Sequence, residues 1–370
     1  MVFKAFYRFI NGLFAIWKRK VSIYSIIYYF TGIPGNFDRF KYKLSLPLTM
    51  KLHLPNSVWI GNIDTFLKKM DTSNGELEIS SHKDWVSVHP VVLCMVTSLG
   101  LKIRHENKEI RFQKMTATSK HYFHRMGLFK LLNLDSEMKI KEHESAGRFL
   151  PIQIIKNSKE LDDFITDIIP LLHKEPDKVE PIKYVITELV RNVFEHAESK
   201  IGAIVCAQYY PKSNTIRIGV VDVGVGIKKS ISNVHNPKSD LEAISLALTP
   251  GITGTTRKIG GTGENAGAGL FFIKSLAKIN RDFFMIYSGN AMYKLLKNPK
   301  NKEPKLIADP LEDHNSHGED YPYWQGTVVG IDLCLNTHPN FDKLLDLIRD
   351  FYRRTKKQKT KERFKRPRFI

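Results

Sequence analysis

Apolar residues recur along this chain with two periods, and the changes of period mark its elements. Between residues 3 and 24, Phe3, Phe6, Tyr7, Ile10, Leu13, Phe14, Trp17, Val21 and Tyr24 share one helical face. Lys4, Arg8, Asn11, Lys18 and Ser22 share the other. Such a helix lies on a membrane surface or a partner, or packs on its own body or a second copy. The run TGIPGN at 31–36 breaks it. Further on, the pattern predicts a strand at 77–81, a helix at 89–100 ended by Gly100, and strands in LKIRHE and KEIRFQ about a turn at Asn107-Lys108. A helix at 121–132, broken near Gly127, follows.

A second series begins with a strand at 149–156 and a helix at 159–173. A helix from near Pro181 to about Ser199 comes next. Strands at 201–210 and 215–222 are joined by the turn PKSN. A long Gly/Thr-rich loop leads to a helix at 269–279, then to strands in FFMIYS and TVVGIDLCL, with polar loops NPKNKEPK and EDHNSHGEDYP between them. Strands interleaved with helices predict an α/β (α+β) fold. The expected organisation is an amphipathic arm over 1–49, a small α/β domain over 50–147, a larger domain over 148–350 and a basic tail over 351–370.

A length of 370 residues suits two cores of this kind. Charge changes the picture at the ends. The net charge is +19, of which residues 1–50 carry +7 and residues 353–370 carry +9, leaving +3 for the 302 residues between. The body is close to neutral, so basic appendages are expected on it, not a basic groove. The tail RRTKKQKTKERFKRPRF has the composition of a phosphate-binding segment, and equally of a solvated end. No apolar run is long enough for a transmembrane helix, and the N-terminus lacks the pattern of a signal peptide. Cys94, Cys206 and Cys334 sit singly in apolar runs, which predicts buried thiols and a cytoplasmic location.

Candidate chemistry is confined to the second domain. In TELVRNVFEHA, Glu188 and Asn192 are one helical turn apart, with Glu195 and His196 a turn beyond. An amide oxygen there suits Mg²⁺, and a carboxylate suits an attacking water. In VVDVGVGI, Asp222 ends a strand and Gly224 and Gly226 follow; the carboxylate can accept from an exocyclic amine while the glycines keep the backbone low. In GGTGENAGAGLFFIKSLAKI, the glycines 260, 261, 263, 267 and 269 run into a helix, a cradle for anions. It is neither a Walker A loop nor a Rossmann fingerprint. Thr327, after Gly326 on a late strand, can share a water with Asp222.

Taken together, E-x-x-x-N, D-x-G-x-G, a glycine-rich loop into G-x-G-L and a late G-T resemble the GHKL ATPases. That family includes gyrase B, the 90-kilodalton heat-shock chaperones, histidine kinases and MutL-type repair proteins. The resemblance covers about half of the chain. It implies a Bergerat fold, a mixed sheet with helices on one face, binding ATP and Mg²⁺. By position it implies Glu188 as the residue polarising water, Asn192 as the metal ligand and Asp222 as the acceptor of the adenine amine. His196, Gly224, Gly226, Ile227, Gly267, Ala268, Gly269, Leu270 and Thr327 would complete the nucleotide site, under a lid spanning 227–266. Asn265 stands where the glycine pattern expects Gly.

The helix ELVRNVFEHA is nearest to anti-sigma serine kinases. Residues 50–147 resemble a STAS domain through Arg125-Met126-Gly127-Leu128-Phe129, although Ser87-Val88-His89-Pro90 stands where a phosphoacceptor turn belongs. His143 lacks a phosphotransfer context, which argues against a histidine kinase, and no transducer domain follows as in gyrase. Three functions fit: an ATP-driven regulatory switch with slow hydrolysis, acting on a protein partner or as a homodimer; a serine kinase of the anti-sigma type; and a nucleic-acid-associated ATPase using the basic ends, which also suit another anionic surface.

Overall fold

In chain order the elements are β1 (Thr49–Leu54), β2 (Ser57–Val58), α1 (Ile63–Lys68), β3 (Glu76–Ser81), β4 (Ser87–Val88), α2 (Pro90–His105), β5 (Ile110–Phe112), α3 (Lys120–Arg125) and α4 (Leu128–Leu131). There follow β6 (Phe149–Ile155), α5 (Ser158–Leu172), α6 (Pro176–His196), β7 (Ala203–Tyr210), β8 (Thr215–Val221), α7 (Gly226–Ser232), α8 (Asp240–Leu248) and α9 (Gly269–Ile279). The last are β9 (Phe284–Gly289), β10 (Ala291–Leu295), β11 (Asn315–Gly318), β12 (Trp324–Cys334) and α10 (Phe341–Phe364). This computed structural model describes residues 49–364, apart from 72, 74, 118, 135–147, 173–175, 255–267, 300, 302 and 337–340. The amphipathic arm, His143, Gly267 with the glycines at 260, 261 and 263, Asn265 and the last six residues lie outside the described residues.

The class is α+β. Seven strands form the main sheet in the order β11-β10-β9-β12-β8-β7-β6, and β1-β3-β5 form a small one. Every neighbouring pair in the main sheet is antiparallel, where the family resemblance implies a mixed sheet. The pairs of the small sheet are parallel, with α1 and α2 as the crossovers between its strands.

Alternate residues of the main strands feed two different cores. Val205, Ile218, Val220, Ile286, Val329 and Ile331 enter the core shared with α5, α6, α9 and α10. Ile204, Cys206, Val221, Met285, Tyr287 and Val328 enter a core shared with residues 50–132. Burial on both faces explains why these strands read as unbroken apolar runs. It also replaces helices on one face by helices on both. Residues 50–147 and 148–350 share this second core within one compact unit, Pro47–Ile370.

Contact across that second face is unusually close. A Cβ on Gly219 of β8 would stand 2.4 Å from Val91 Cα and 2.5 Å from Val91 N at the start of α2. On Gly330 of β12, beside it in register, a Cβ would meet Ile60 and Val91 side chains at 3.3 Å. Around this gap, His89 caps α2 by accepting from Val91 N–H at Nδ1 (3.1 Å), and its Nε2 meets Asp332 Oδ1 at 3.1 Å. Arg217 lies 3.6 Å from the same carboxylate oxygen, with its guanidinium over the rings of Trp59 (4.1 Å) and Tyr210 (4.2 Å), which meet each other edge to face. Complete burial lowers the His89 pKa, so the neutral ring accepts at one nitrogen and donates at the other. Ser87, in the stretch where the STAS resemblance expects a phosphoacceptor turn without placing a Ser at the acceptor position, is in β4 opposite Ser57.

Several expectations are corrected. LKIRHE is not a strand: α2 continues to His105, because Gly100 is not its cap. A Cβ on Gly100 would stand 2.4 Å from Leu132, so glycine there serves close packing. α6 begins at Pro176 and contains Pro181. Part of the expected lid is helical, with α7 and α8 between 226 and 248. Ser239 caps α8 by accepting from Glu242 N–H, and Lys238 N–H donates to the Glu242 carboxylate, so S-D-L-E is a start signal inside a segment that reads as a loop. The polar stretch 312–322 contains β11, and β10 precedes it. Asp313, at its start, is buried between Lys274 (2.5 Å) and Lys278 of α9. The tail is helical through Phe364.

Gly219→Ala is expected to destabilise the fold by more than about 2 kcal/mol, because backbone cannot move aside as a side chain can. Gly61→Ala, whose added Cβ meets only the Phe283 ring at 3.4 Å, is the control and should change stability far less. Urea denaturation of both variants checks this; equal midpoints would remove the role given to Gly219.

Candidate functional site

Helix α6 repeats polar side chains every fourth residue. Tyr184, Glu188, Asn192 and His196 fall on one face, and all four line a single cavity of about 360 Å³. The adjoining side supplies Val185, Ile186, Leu189, Val190 and Val193 to the core, and Leu189 and Val193 line the cavity as well. The helix ends at His196, and Glu198 just beyond it has a left-handed φ of 51°. The carbonyl of Ala197 there accepts from Val225 N–H at 2.8 Å, tying α6 to the loop after β8.

That loop begins with Asp222, only 2% exposed. Its Oδ1 accepts from Gly224 N–H at 2.7 Å, and Thr327 hydrogen-bonds to the carboxylate from the facing strand. A carboxylate has about four acceptor positions, so capacity remains on the cavity side. Burial pushes the Asp222 pKa up to about 6 against those hydrogen bonds. Its backbone is fixed as well: Asp222 N–H donates to Thr327 O at 2.9 Å, and the Trp324 indole donates to Asp222 O at 3.3 Å. Gly326, with φ of 97°, lets this happen, because a Cβ would lie 2.3 Å from Asp222 O.

The two glycines after Asp222 are required by the packing of the chain itself. A Cβ on Gly224 would stand 1.9 Å from Ala197 O, so its smallness admits α6. Gly226, with φ of 79°, would meet Ser288 Oγ at 3.0 Å. Ser288 in turn accepts from Ile227 N–H (3.0 Å) and donates to Gly326 O (2.7 Å), which pins the start of α7 to β12.

The third wall is the first turn of α9. A Cβ on Gly269 would stand 2.5 Å from Glu188 Oε2 and 3.7 Å from Asn192 Nδ2, so both side chains cross the helix end at contact distance. A helix N-terminus favours negative charge, and its first N–H groups have no partner one turn back. Burial raises the Glu188 pKa, opposed by Arg191 and reinforced by Glu195. The Asn192 Nδ2 is buried without a hydrogen-bond partner, an unmet polar group that a ligand oxygen would satisfy. Burial lowers the His196 pKa, with Glu195 opposing at 3.8 Å.

The structure thus brings Glu188, Asn192, His196, Asp222, Gly226, Ile227, Ala268, Gly269, Leu270 and Thr327 to one cavity. Gly224 stands behind the wall, and Gly267 is outside the described residues. Tyr184, Arg191, Ser230, Thr253 and Arg349 also line the cavity and were not singled out in the sequence. Tyr184 was legible as one turn before Glu188. Arg349 carried no signal, since its helix is distant in the chain.

Compared with known proteins, the chain matches no family model and no curated protein.

An Asp whose folded pKa lies above its unfolded value stabilises the fold most at low pH, and that contribution is lost as pH rises from about 4 to about 6. Ionisation at 222 therefore costs the fold on the order of 3 kcal/mol at neutral pH. Asp222→Asn should be more stable than wild type at pH 7.5, with the gap closing by pH 4. Denaturant titrations at the two pH values check it; a mutant less stable at pH 7.5 would remove the strained-carboxylate account.

Proposed function

We propose that this cavity binds ATP with Mg²⁺ in the manner of the GHKL ATPases, and that the chain is an ATP-driven regulatory switch with slow hydrolysis. One observation carries the reading: motifs more than 130 residues apart in the chain, from Glu188 to Thr327, line the same cavity. Its volume lies in the range of small-molecule sites, roughly 300–1,000 Å³. Its chemistry also runs in the order that a nucleotide needs. Asp222, buried and pinned on three sides, accepts from the exocyclic amine. Val220 and Val329 of the sheet, with Leu189, Val193 and Ile231, give the base an apolar bed.

Asn192 and the first turn of α9 then meet the phosphates. The amide oxygen of Asn192 would hold magnesium, a hard cation that also keeps water and phosphate oxygens as ligands. Magnesium, when bound, offsets charge on the phosphate oxygens. Glu188 holds the water and takes its proton; the water oxygen bonds to the terminal phosphorus as the bridging P–O bond breaks, giving ADP and phosphate. Its raised pKa makes it a better base than an exposed carboxylate. The ionised Asp222 that accepts the amine is the form that the empty fold disfavours, so stability is set against function at this residue.

Two variants test the assignment. Glu188→Ala should keep ATP affinity and lose about 10²–10⁴-fold in hydrolysis. Equal phosphate release by mutant and wild type would end the catalytic role of Glu188 while leaving the pocket. Label appearing on a protein instead of in free phosphate would move the reading to a kinase. Asn192→Ala should weaken ATP binding in magnesium and match wild type in EDTA; calorimetry showing the same deficit in both buffers rules out the ligand role.

A further inference from the structure

Helix α6 acts as a ruler along the cavity. Its C-terminal end, at His196 and Ala197, holds the loop carrying Asp222. Moving back along it come Asn192, then Glu188 beside Gly269, then Tyr184. Tyr184 and His196 are twelve residues apart, which is about 18 Å of helix. If Asp222 marks the base end, the terminal phosphate points toward Tyr184.

Among the described residues, a cation at that far end comes from the last helix. Arg349 of α10 lines the cavity, and its charge acts on Tyr184 together with that of Glu188. The cavity also contains Glu188, Glu195 and Asp222, so a polyanion enters against three carboxylates. Arg191 is 3.5 Å from Glu195 on its own helix, at i,i+4. Arg349 pairs with Asp346 one turn back, at 3.0 Å, with side chains 49% and 68% exposed. An exposed pair of this kind contributes little, so the guanidinium can exchange Asp346 for a better acceptor. A phosphate is such an acceptor, because the guanidinium fork binds two of its oxygens at once.

We infer that Arg349 is a specificity-determining residue that contacts the terminal phosphate and lets the pocket distinguish a nucleoside triphosphate from a diphosphate. The inference rests on the ATP reading above. It also gives the pocket an output. Phe271 and Phe272, in the first turn of α9, pack on Phe351 and Tyr352 of α10 with ring centroids 6.0 Å apart in each case, and Tyr184 packs on Phe341 at 6.0 Å. The helix that supplies Arg349 therefore rides on two walls of the cavity. A phosphate that draws Arg349 from Asp346 acts directly on α10, whose later turns carry Arg353, Arg354, Lys356 and Lys357.

The test is calorimetry on the full chain with a non-hydrolysable ATP analogue and with ADP, in magnesium. Arg349→Ala should weaken binding of the analogue about tenfold or more and leave ADP within about threefold, since a hydrogen bond to a charged group is lost only with the triphosphate. Arg349→Lys should fall between, because a point charge lacks the fork. Asp346→Asn should tighten the analogue and leave ADP unchanged, which a purely structural role for Arg349 would not produce. If wild type binds the analogue and none of the three substitutions changes the ratio of the two affinities, the inference falls and the ATP pocket stands. If wild type binds neither nucleotide, the ATP reading falls and takes the inference with it.

Discussion

The backbone contact between Val91 and Gly219 is the constraint on which this architecture depends. A helix normally stands about 8–10 Å from the element beneath it, held off by side chains on both. Here the first turn of α2 reaches the strand itself, because β8 and β12 present glycine at adjacent positions of the register. This close approach fixes α2, and with it β1, β3 and β5, on the second face of the seven-stranded sheet. The neutral His89 ring, donating to Asp332 while capping α2, locks the direction of approach. Lys294, with Asp64 and the Gly61 carbonyl as partners, closes the same interface from the far edge of the sheet.

This interface reaches the cavity through the strands that they share. Trp324 is 1% exposed in the core under residues 50–132, and its indole holds the Asp222 carbonyl. Tyr321, in the same core, hydrogen-bonds to Asp64 of α1 at 3.1 Å. The cavity floor is therefore built from both sides. Glycines at 224 and 326 make this possible by letting α6 and β12 crowd the backbone of the Asp222 loop. That loop cannot shift without moving one of them, and a buried carboxylate keeps a strained position only under such confinement.

Legibility differed by element. Helix α9 and strands β6 to β8 were plain in the sequence, because their periods are unbroken and their ends carry turn residues. The site was legible wherever its residues follow a local rule: Glu188 and Asn192 by helical spacing, Asp222 by its place at a strand end, Gly269 by its place at a helix start. The strand read into LKIRHE was wrong because Gly100 looks like a stop. The reason it is glycine lies in Leu132, far along the chain. Helix α8 was hidden because its capping residues Ser239 and Glu242 lie in a segment whose composition favours a loop.

By itself the sequence determined the elements whose periods are unbroken, the α+β class and which polar side chains share one face of α6, since those depend on periods of two and near four and on neighbours within a turn. Only the tertiary structure decided that the main sheet is covered on both sides, that Gly224 makes room for Ala197, and that Arg349 reaches the same cavity as Glu188. These are contacts between residues far apart in the chain. No local pattern encodes a distance between two segments until packing has placed them.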